Sequence, residues 1–395
     1  MEHCVLLKYG EMALKGRNAR RFANQLVRNL RRAVSDLGGG VRLEPRAGLL
    51  VISGAGPSEE LTNRARDVMG ISAVQPAVRV AKTPEAAADA AVALVRERLN
   101  GSSTPSFAVR ARRRDKRFPM NSETFAAFLG ARIKETFDLP VNLSAPDLEV
   151  SVEVDAKEIF LSTDRFPGQG GLPVGISGRA VVLLSGGFDS PVAAYRAMRR
   201  GLRCDFVHFT GAPLTGPSSA YKAYALVRQL DRFQHGSRLY VIPMGHAQRE
   251  LATAGAGELQ IVAQRRLMLR TAEALAKQLG AQALVTGDSL GQVSSQTLSN
   301  LATVQQATSL LVLRPLVGFD KIEIIEEARR IGTAEISTLP DEDCCSLLTP
   351  PHVATSSRPE DLERLEARVD ADATVARLLE HAQLLRPEAG ANKVA

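Results

Sequence analysis

Residues 180–191 read Ala-Val-Val-Leu-Leu-Ser-Gly-Gly-Phe-Asp-Ser-Pro, and the fold of the carboxyl-terminal half turns on them. The apolar run Ala180–Leu184 has the composition of a strand buried on both faces, as in a parallel sheet. It runs into Ser185-Gly186-Gly187-Phe188-Asp189-Ser190, and Pro191 then opens a helix, where proline suits the first position. Two adjacent glycines let backbone N–H groups close on an anion with no Cβ in the way. The helix start adds its positive dipole end. Asp189 would repel phosphate, so a carboxylate here is expected to hold Mg²⁺. No Gly-Lys-Ser/Thr closes the loop, which excludes a Walker A motif. The competing reading is an ordinary glycine-rich strand-to-helix turn; strand, Ser, Asp, Ser and Pro in this order favour a pyrophosphate and metal site.

Beyond the loop, strand and helix patterns alternate. Strands are expected at 180–184, 204–209, 239–243, 283–286 and 310–313, and helices at 191–200, 218–234, 258–279 and 321–331. That succession predicts a doubly wound parallel α/β sheet with ligands outside the carboxyl ends of its strands. Residues 359–380 read as charged helix, followed by a disordered end.

A chain of 395 residues, 45% apolar and 24% charged, has length for two or three domains and a large core. No apolar run approaches the length of a membrane span, and Met1-Glu2-His3-Cys4 lacks signal-peptide architecture, so no membrane association and a cytoplasmic location are expected. Four cysteines, Cys4, Cys204, Cys344 and Cys345, are too few and too uneven for a disulfide framework. Net charge is +7, yet residues 1–120 hold 22 Lys and Arg against 11 Asp and Glu. A basic front third suggests a polyanion-binding surface, with a merely solvated basic surface as the alternative.

The front third itself reads as strand 4–9, helix 20–37 and two strands within 41–52, an order that fits a small α+β ferredoxin-like unit. From residue 58 the expected helices are 60–69, 84–99 and 122–137, and the strands include 73–80, 106–111 and 148–154. Arg110, Arg112, Arg113, Arg114, Lys116 and Arg117 put six cations into nine residues, a density suited to phosphate contacts. The glycine- and proline-rich stretch Phe166–Gly175 reads as a linker that packs, with part of the wall of the nucleotide site as the alternative.

Five blocks together carry a family resemblance. They are Lys8-Tyr9-Gly10-Glu11-Met12-Ala13-Leu14-Lys15-Gly16-Arg17-Asn18; the loop 185–190; Thr286-Gly287-Asp288-Ser289-Leu290-Gly291-Gln292-Val293-Ser294-Ser295-Gln296-Thr297; Leu313-Arg314-Pro315-Leu316 with Asp320-Lys321; and Asp343-Cys344-Cys345. In order and spacing, over nearly the whole chain, the sequence resembles the ThiI-type tRNA sulfurtransferases, the tRNA 4-thiouridine synthetases, with the PP-loop of ATP pyrophosphatases at 185–190. The resemblance implies a ferredoxin-like domain (1–58), a THUMP RNA-binding domain (59–165), a linker (166–178) and a PP-loop catalytic domain (179–395). It also implies a reaction. ATP adenylates the C4 oxygen of uridine 8 in tRNA, releasing pyrophosphate, and a persulfide sulfur then displaces AMP. Adenylation converts a poor leaving group into a good one, and a thiolate-derived sulfur is a strong nucleophile near neutral pH.

Carried over by motif, Leu183 and Leu184 would meet the nucleotide through their backbone, and Ser185, Gly186, Gly187, Asp189 and Ser190 would cradle pyrophosphate and Mg²⁺. His208 and Phe209 would end a strand beside the adenine pocket; on residues alone His208 reads as a surface histidine. Arg265 would reach the triphosphate, or else lie on a solvated helix face. Gly287 and Gln296 would sit at the carboxyl edge of the sheet, while Asp288 stands where the family more often has glutamate. Lys15 and Arg17 would join the cations of 110–117 in binding RNA.

Cys344 is the expected sulfur carrier, with Cys345 the alternative; the acidic neighbours Asp341, Glu342 and Asp343 would raise a thiol pKa, so activation must come from tertiary contacts. A buried structural pair, or metal ligands, is the other reading of the two cysteines. Some members carry a terminal rhodanese domain, for which the sequence up to Ala395 leaves no room. Sulfur is therefore expected from a separate cysteine desulfurase. The family also sulfurates a carrier protein for thiamine synthesis, and it suggests a homodimer. Two other readings stay open: a PP-loop ligase acting on a small molecule, and a non-catalytic RNA-binding protein.

Overall fold

The computed structural model describes residues 1–10, 18–37, 40–46, 48–54, 59–99, 104–341 and 348–387. They fall into two units, Met1–Gly171 and Leu172–Ala395.

The first unit is built on one sheet. Its strands are β1 (Glu2–Lys8), β2 (Arg42–Arg46), β3 (Leu49–Ser53), β4 (Ala73–Ala81), β5 (Phe107–Arg113), β6 (Leu148–Val154), β7 (Glu158–Ser162) and the short β8 (Phe166–Pro167). They run in the order β2-β3-β1-β4-β7-β6-β5, with β8 pairing β4. Helices α1 (Ala19–Ala33), α2 (Glu59–Asp67), α3 (Pro84–Arg98) and α4 (Ser122–Phe137) cover it.

Alternation along the strands sorts the side chains. Val5 and Leu7 pack with Leu26 and Leu30 of α1 and with Leu61 and Ala65 of α2. Cys4 and Leu6 turn to the other face with Val51 and Phe160. Val74 lies in the α1/α2 core and Val78, on the same parity of β4, in the α3/α4 core, so both helix pairs sit on one face.

Two features differ from the sequence reading. Helix α2, expected to open the second domain, belongs to the first core, because Leu61 and Ala65 face Val5 and Val74. Strand β7 was not expected, yet it lies between β4 and β6 in the sheet. With β4 paired to β1 on one side and β7 on the other, the two modules share a single hydrogen-bond ladder.

In the second unit five parallel strands, β9 (Arg179–Leu183), β10 (Arg203–Thr210), β11 (Leu239–Pro243), β12 (Ala283–Val285) and β13 (Leu311–Leu313), stand in the order β13-β12-β9-β10-β11. An antiparallel β14 (Gln383–Leu385) closes the β11 edge, where a disordered end was expected. The helices are α5 (Asp189–Arg199), α6 (Ser218–Asp231), α7 (Gly245–Thr253), α8 (Gln260–Leu279), α9 (Leu298–Gln305), α10 (Lys321–Arg330), α11 (Ala334–Ser337), α12 (Pro359–Arg368) and α13 (Ala371–Glu380). The single charged helix expected over 359–380 is two, broken where Asp370 takes a left-handed φ of 45°. Strand order reverses between β9 and β12, and such a switch point opens a crevice at the carboxyl ends of the strands. Among the described residues no helix is long and apolar enough to cross a membrane.

Candidate active site

The loop after β9 lies at that switch point. Ser190, 3% exposed, holds its shape: its Oγ accepts from the Ser185 N–H at 2.8 Å and donates to the Ser185 carbonyl at 3.2 Å. Helix α5 starts at Asp189, two residues ahead of the proline expected to open it, so the loop delivers the helix N-terminus directly. Gly287, just past β12, presses on this start: a Cβ there would stand 2.6 Å from the Ser190 nitrogen. Only glycine fits.

Asp189 is not isolated. Lys321, the first residue of α10, donates to its Oδ1 at 2.7 Å, and Gln292 to its Oδ2 at 3.0 Å. A capping box formed by Asp320 and Glu323 fixes the start of α10 and therefore Lys321. Neither Lys321 nor Gln292 was singled out from sequence, although both lie in the quoted blocks.

Asp288 is 4% exposed and joins two cations, Arg265 from α8 and Arg314 after β13, while accepting from the Thr286 hydroxyl at 2.8 Å. Burial works to raise its pKa, but the Arg265 charge, the Thr286 bond and Arg314 outweigh it and hold the carboxyl below its usual range. Arg265 also donates to the Ser295 carbonyl at 2.8 Å, and Gln296 lies beside it, its Oε1 buried with no partner among the described residues.

His208 is buried, not on the surface, and its Nδ1 lies 2.8 Å from the Leu184 carbonyl oxygen. Phe209 points away into the core with Val181, Ile242 and Met244. Leu184 is buried and Leu183 half-buried against the same core.

The chain leading to the cysteine pair runs over the loop. Ser337 donates to the Gly187 carbonyl at 3.2 Å. Asp341 reaches Gly186, where a Cβ would collide with its carboxylate. Lys222 of α6 holds this turn, donating to the Leu339 carbonyl at 2.6 Å and to Asp341 Oδ1 at 3.1 Å. Cys344 and Cys345 themselves, like Lys15 and Arg17, lie outside the described residues. Cys4 and Cys204 are buried; burial pushes the Cys4 thiol up to about 12 and that of Cys204 up as well, so neither supplies a thiolate near neutral pH.

Among the described residues no three His, Cys, Asp or Glu side chains cluster to hold a metal. Asp189, whose two oxygens accept from Lys321 and Gln292, offers a single carboxylate, which suits Mg²⁺ only where substrate phosphates supply the other ligands.

In the first unit the expected cationic patch is partly neutralised. Arg114 pairs with the buried Glu153, Arg117 with Asp115, and Arg110 with Glu149. Arg113 donates to the Phe118 carbonyl at 3.3 Å. Arg112 and Lys116 are exposed.

Sequence comparison places three families along the chain: the ThiI ferredoxin-like domain at 4–74, the THUMP domain at 81–164 and Thiamine biosynthesis protein (ThiI) at 175–371. A probable tRNA sulfurtransferase of Nocardia farcinica is 62% identical over 97% of this chain and 94% of its own length. One from Thermus thermophilus is 43% identical over 98% and 94%. A solved 4-thiouridine synthetase in complex with RNA and bound ATP superposes with a TM-score of 0.90 at 33% identity, covering 98% of this chain and all of that one.

Proposed function

The chain belongs to the ThiI family of tRNA sulfurtransferases, and from that premise we propose how its own residues divide the work. It is an enzyme that transfers sulfur to tRNA; the proposed product is 4-thiouridine at position 8. The loop 185–190 takes the pyrophosphate portion of ATP, with Ser190 fixing its curvature and Gly287 allowing β12 to approach. The uridine C4 oxygen attacks the α-phosphorus and pyrophosphate leaves. Lys321 and the helix start hold the departing negative charge, an electrostatic role that is strong in a dry cleft. When bound, Mg²⁺ would neutralise phosphate charge, with Asp189 as its carboxylate ligand. Asp288 positions Arg265 and Arg314 at the edge of the site, and the Gln296 amide faces the nucleotide from the same side.

Sulfur arrives as a persulfide on Cys344, with Cys345 as the alternative, charged by a cysteine desulfurase. Its terminal sulfur attacks C4 and expels AMP; a thiol, free cysteine in the test below, then attacks the Cys344 sulfur, expels 4-thiouridine and leaves a mixed disulfide that a second thiol reduces. The observation that supports this reading is the docking of residues 337–341 on the nucleotide loop, since Asp341 precedes Cys344 by three residues in the sequence. The first unit takes the tRNA through its exposed cations, Arg112 and Lys116 foremost. A homodimer, a cytoplasmic location and sulfuration of the thiamine-pathway carrier protein complete the proposal.

The test supplies purified protein with unmodified tRNA transcript, Mg-ATP, cysteine and a cysteine desulfurase. AMP, pyrophosphate and a tRNA retarded on a thiol-sensitive gel are expected. Cys344→Ser should abolish the retarded band while Cys4→Ser and Cys204→Ser keep it. Absence of AMP and pyrophosphate under every sulfur supply would overturn the reading.

A further inference from the structure

We propose that Lys222 is a further phosphate-binding cation of the nucleotide loop, and that Asp341 is its built-in competitor. This deepens the reading of 185–190 as the ATP loop and rests on it. Lys222 is 7% exposed, an unusual degree of burial for a lysine. It runs along the loop itself: a Cβ on Gly186 would lie 3.1 Å from the Lys222 Cδ and would strike the Asp341 carboxylate. Ammonium and carboxylate therefore meet beside the first loop glycine.

A glycine pair followed by a helix N-terminus is an anion site by construction. A carboxylate lodged against it has the charge and the acceptor oxygens of a phosphate. An ammonium carries three N–H donors, and two are accounted for here, by the Leu339 carbonyl at 2.6 Å and by Asp341 at the longer 3.1 Å. A phosphate oxygen entering the loop would take up the remaining donor and repel Asp341, since the two anions would share one cation. Lys321, bonded to Asp189, then flanks the loop at its helix end and Lys222 at its glycine end.

If Lys222 only fastened the 339–341 turn, removing either member of the pair would loosen the same turn and move affinity the same way. As a ligand and its competitor, they move it in opposite directions. Calorimetric titration of the full chain with Mg-ATP, and separately with Mg-pyrophosphate, distinguishes the two. Lys222→Met should weaken both ligands about tenfold or more, the scale of a lost charged hydrogen bond. Lys222→Arg should retain most of the affinity. Asp341→Asn should tighten pyrophosphate binding about threefold.

Unchanged affinity in Lys222→Met, or weaker binding in Asp341→Asn, overturns the proposal. Should Lys222→Met fail to fold, Asp341→Asn decides alone. If the parent protein binds neither ligand, the ATP-loop reading itself falls; if the parent binds and the variants do not diverge, only this inference does.

Discussion

Two stretches of the chain read from sequence as binding sites for phosphate, and they fared differently in three dimensions. The site proposed at 185–190 is one of backbone: strand end, two glycines and a helix start, held by Ser190 bonding back to Ser185. The stretch 110–117 makes its site from side-chain charge, and much of that charge is taken up inside the unit by Glu153, Asp115 and Glu149. A backbone site is local, so its sequence specifies it. A charged patch depends on whatever acids the fold brings to it, and Glu153 is 39 residues from Arg114.

The difference can be broken at its strongest point. Gly287→Ala puts a methyl 2.6 Å from the Ser190 nitrogen and must push the loop aside. AMP release should fall about a hundredfold, the cost of a misplaced reacting group, as read by steady-state kinetics. Parent-like turnover would mean that the loop does not need β12 held against it.

A smaller effect tests which arginines are structural. Arg114→Gln removes one of the cations at Glu153 and should cost about 1–3 kcal/mol in denaturant unfolding. Burial works to raise the Glu153 pKa, but the Lys8 bond and the charges of Lys8 and Arg114 hold it below the ordinary carboxylate value. A depressed folded pKa adds stability above the unfolded value, near 4.3, and that stability is lost as pH falls through the folded value. Glu153→Gln should therefore flatten the acid limb of the stability profile; an unchanged limb would contradict the pairing.

The smallest change belongs to the exposed cations. Arg112→Gln with Lys116→Gln should leave stability within about 0.5 kcal/mol. It should make the salt dependence of tRNA binding shallower by about one to two in log–log slope, measured by filter binding across ionic strengths. If Arg114→Gln instead gave the larger slope change, the contrast between structural and RNA-facing arginines would be reversed.

Much of the frame was legible because it rests on local pattern. Strands 148–154 and 239–243 fall on their expected bounds, and the loop sits where Ala180–Leu184 placed it. Strand β7 escaped because its five residues follow β6 through a short turn and read as a continuation. Strand β14 has three residues and is defined only by pairing with β11. Neighbours on a strand face opposite ways, so the His208 side chain turns to the Leu184 carbonyl and that of Phe209 into the core. Lys222 and Asp341 are 119 residues apart, and no local signal joins them.

Strand β4 has a mechanical consequence. Seven residue pairs tie it to β1, and four tie it to β7, so a hinge between the two modules would have to tear a continuous ladder. Strands spaced about 4.8 Å apart make the seven-strand path from β2 to β5 a plank roughly 29 Å wide, with its ends locked in step. A ligand touching both modules would therefore meet a spacing set by strand pairing and not by a flexible joint.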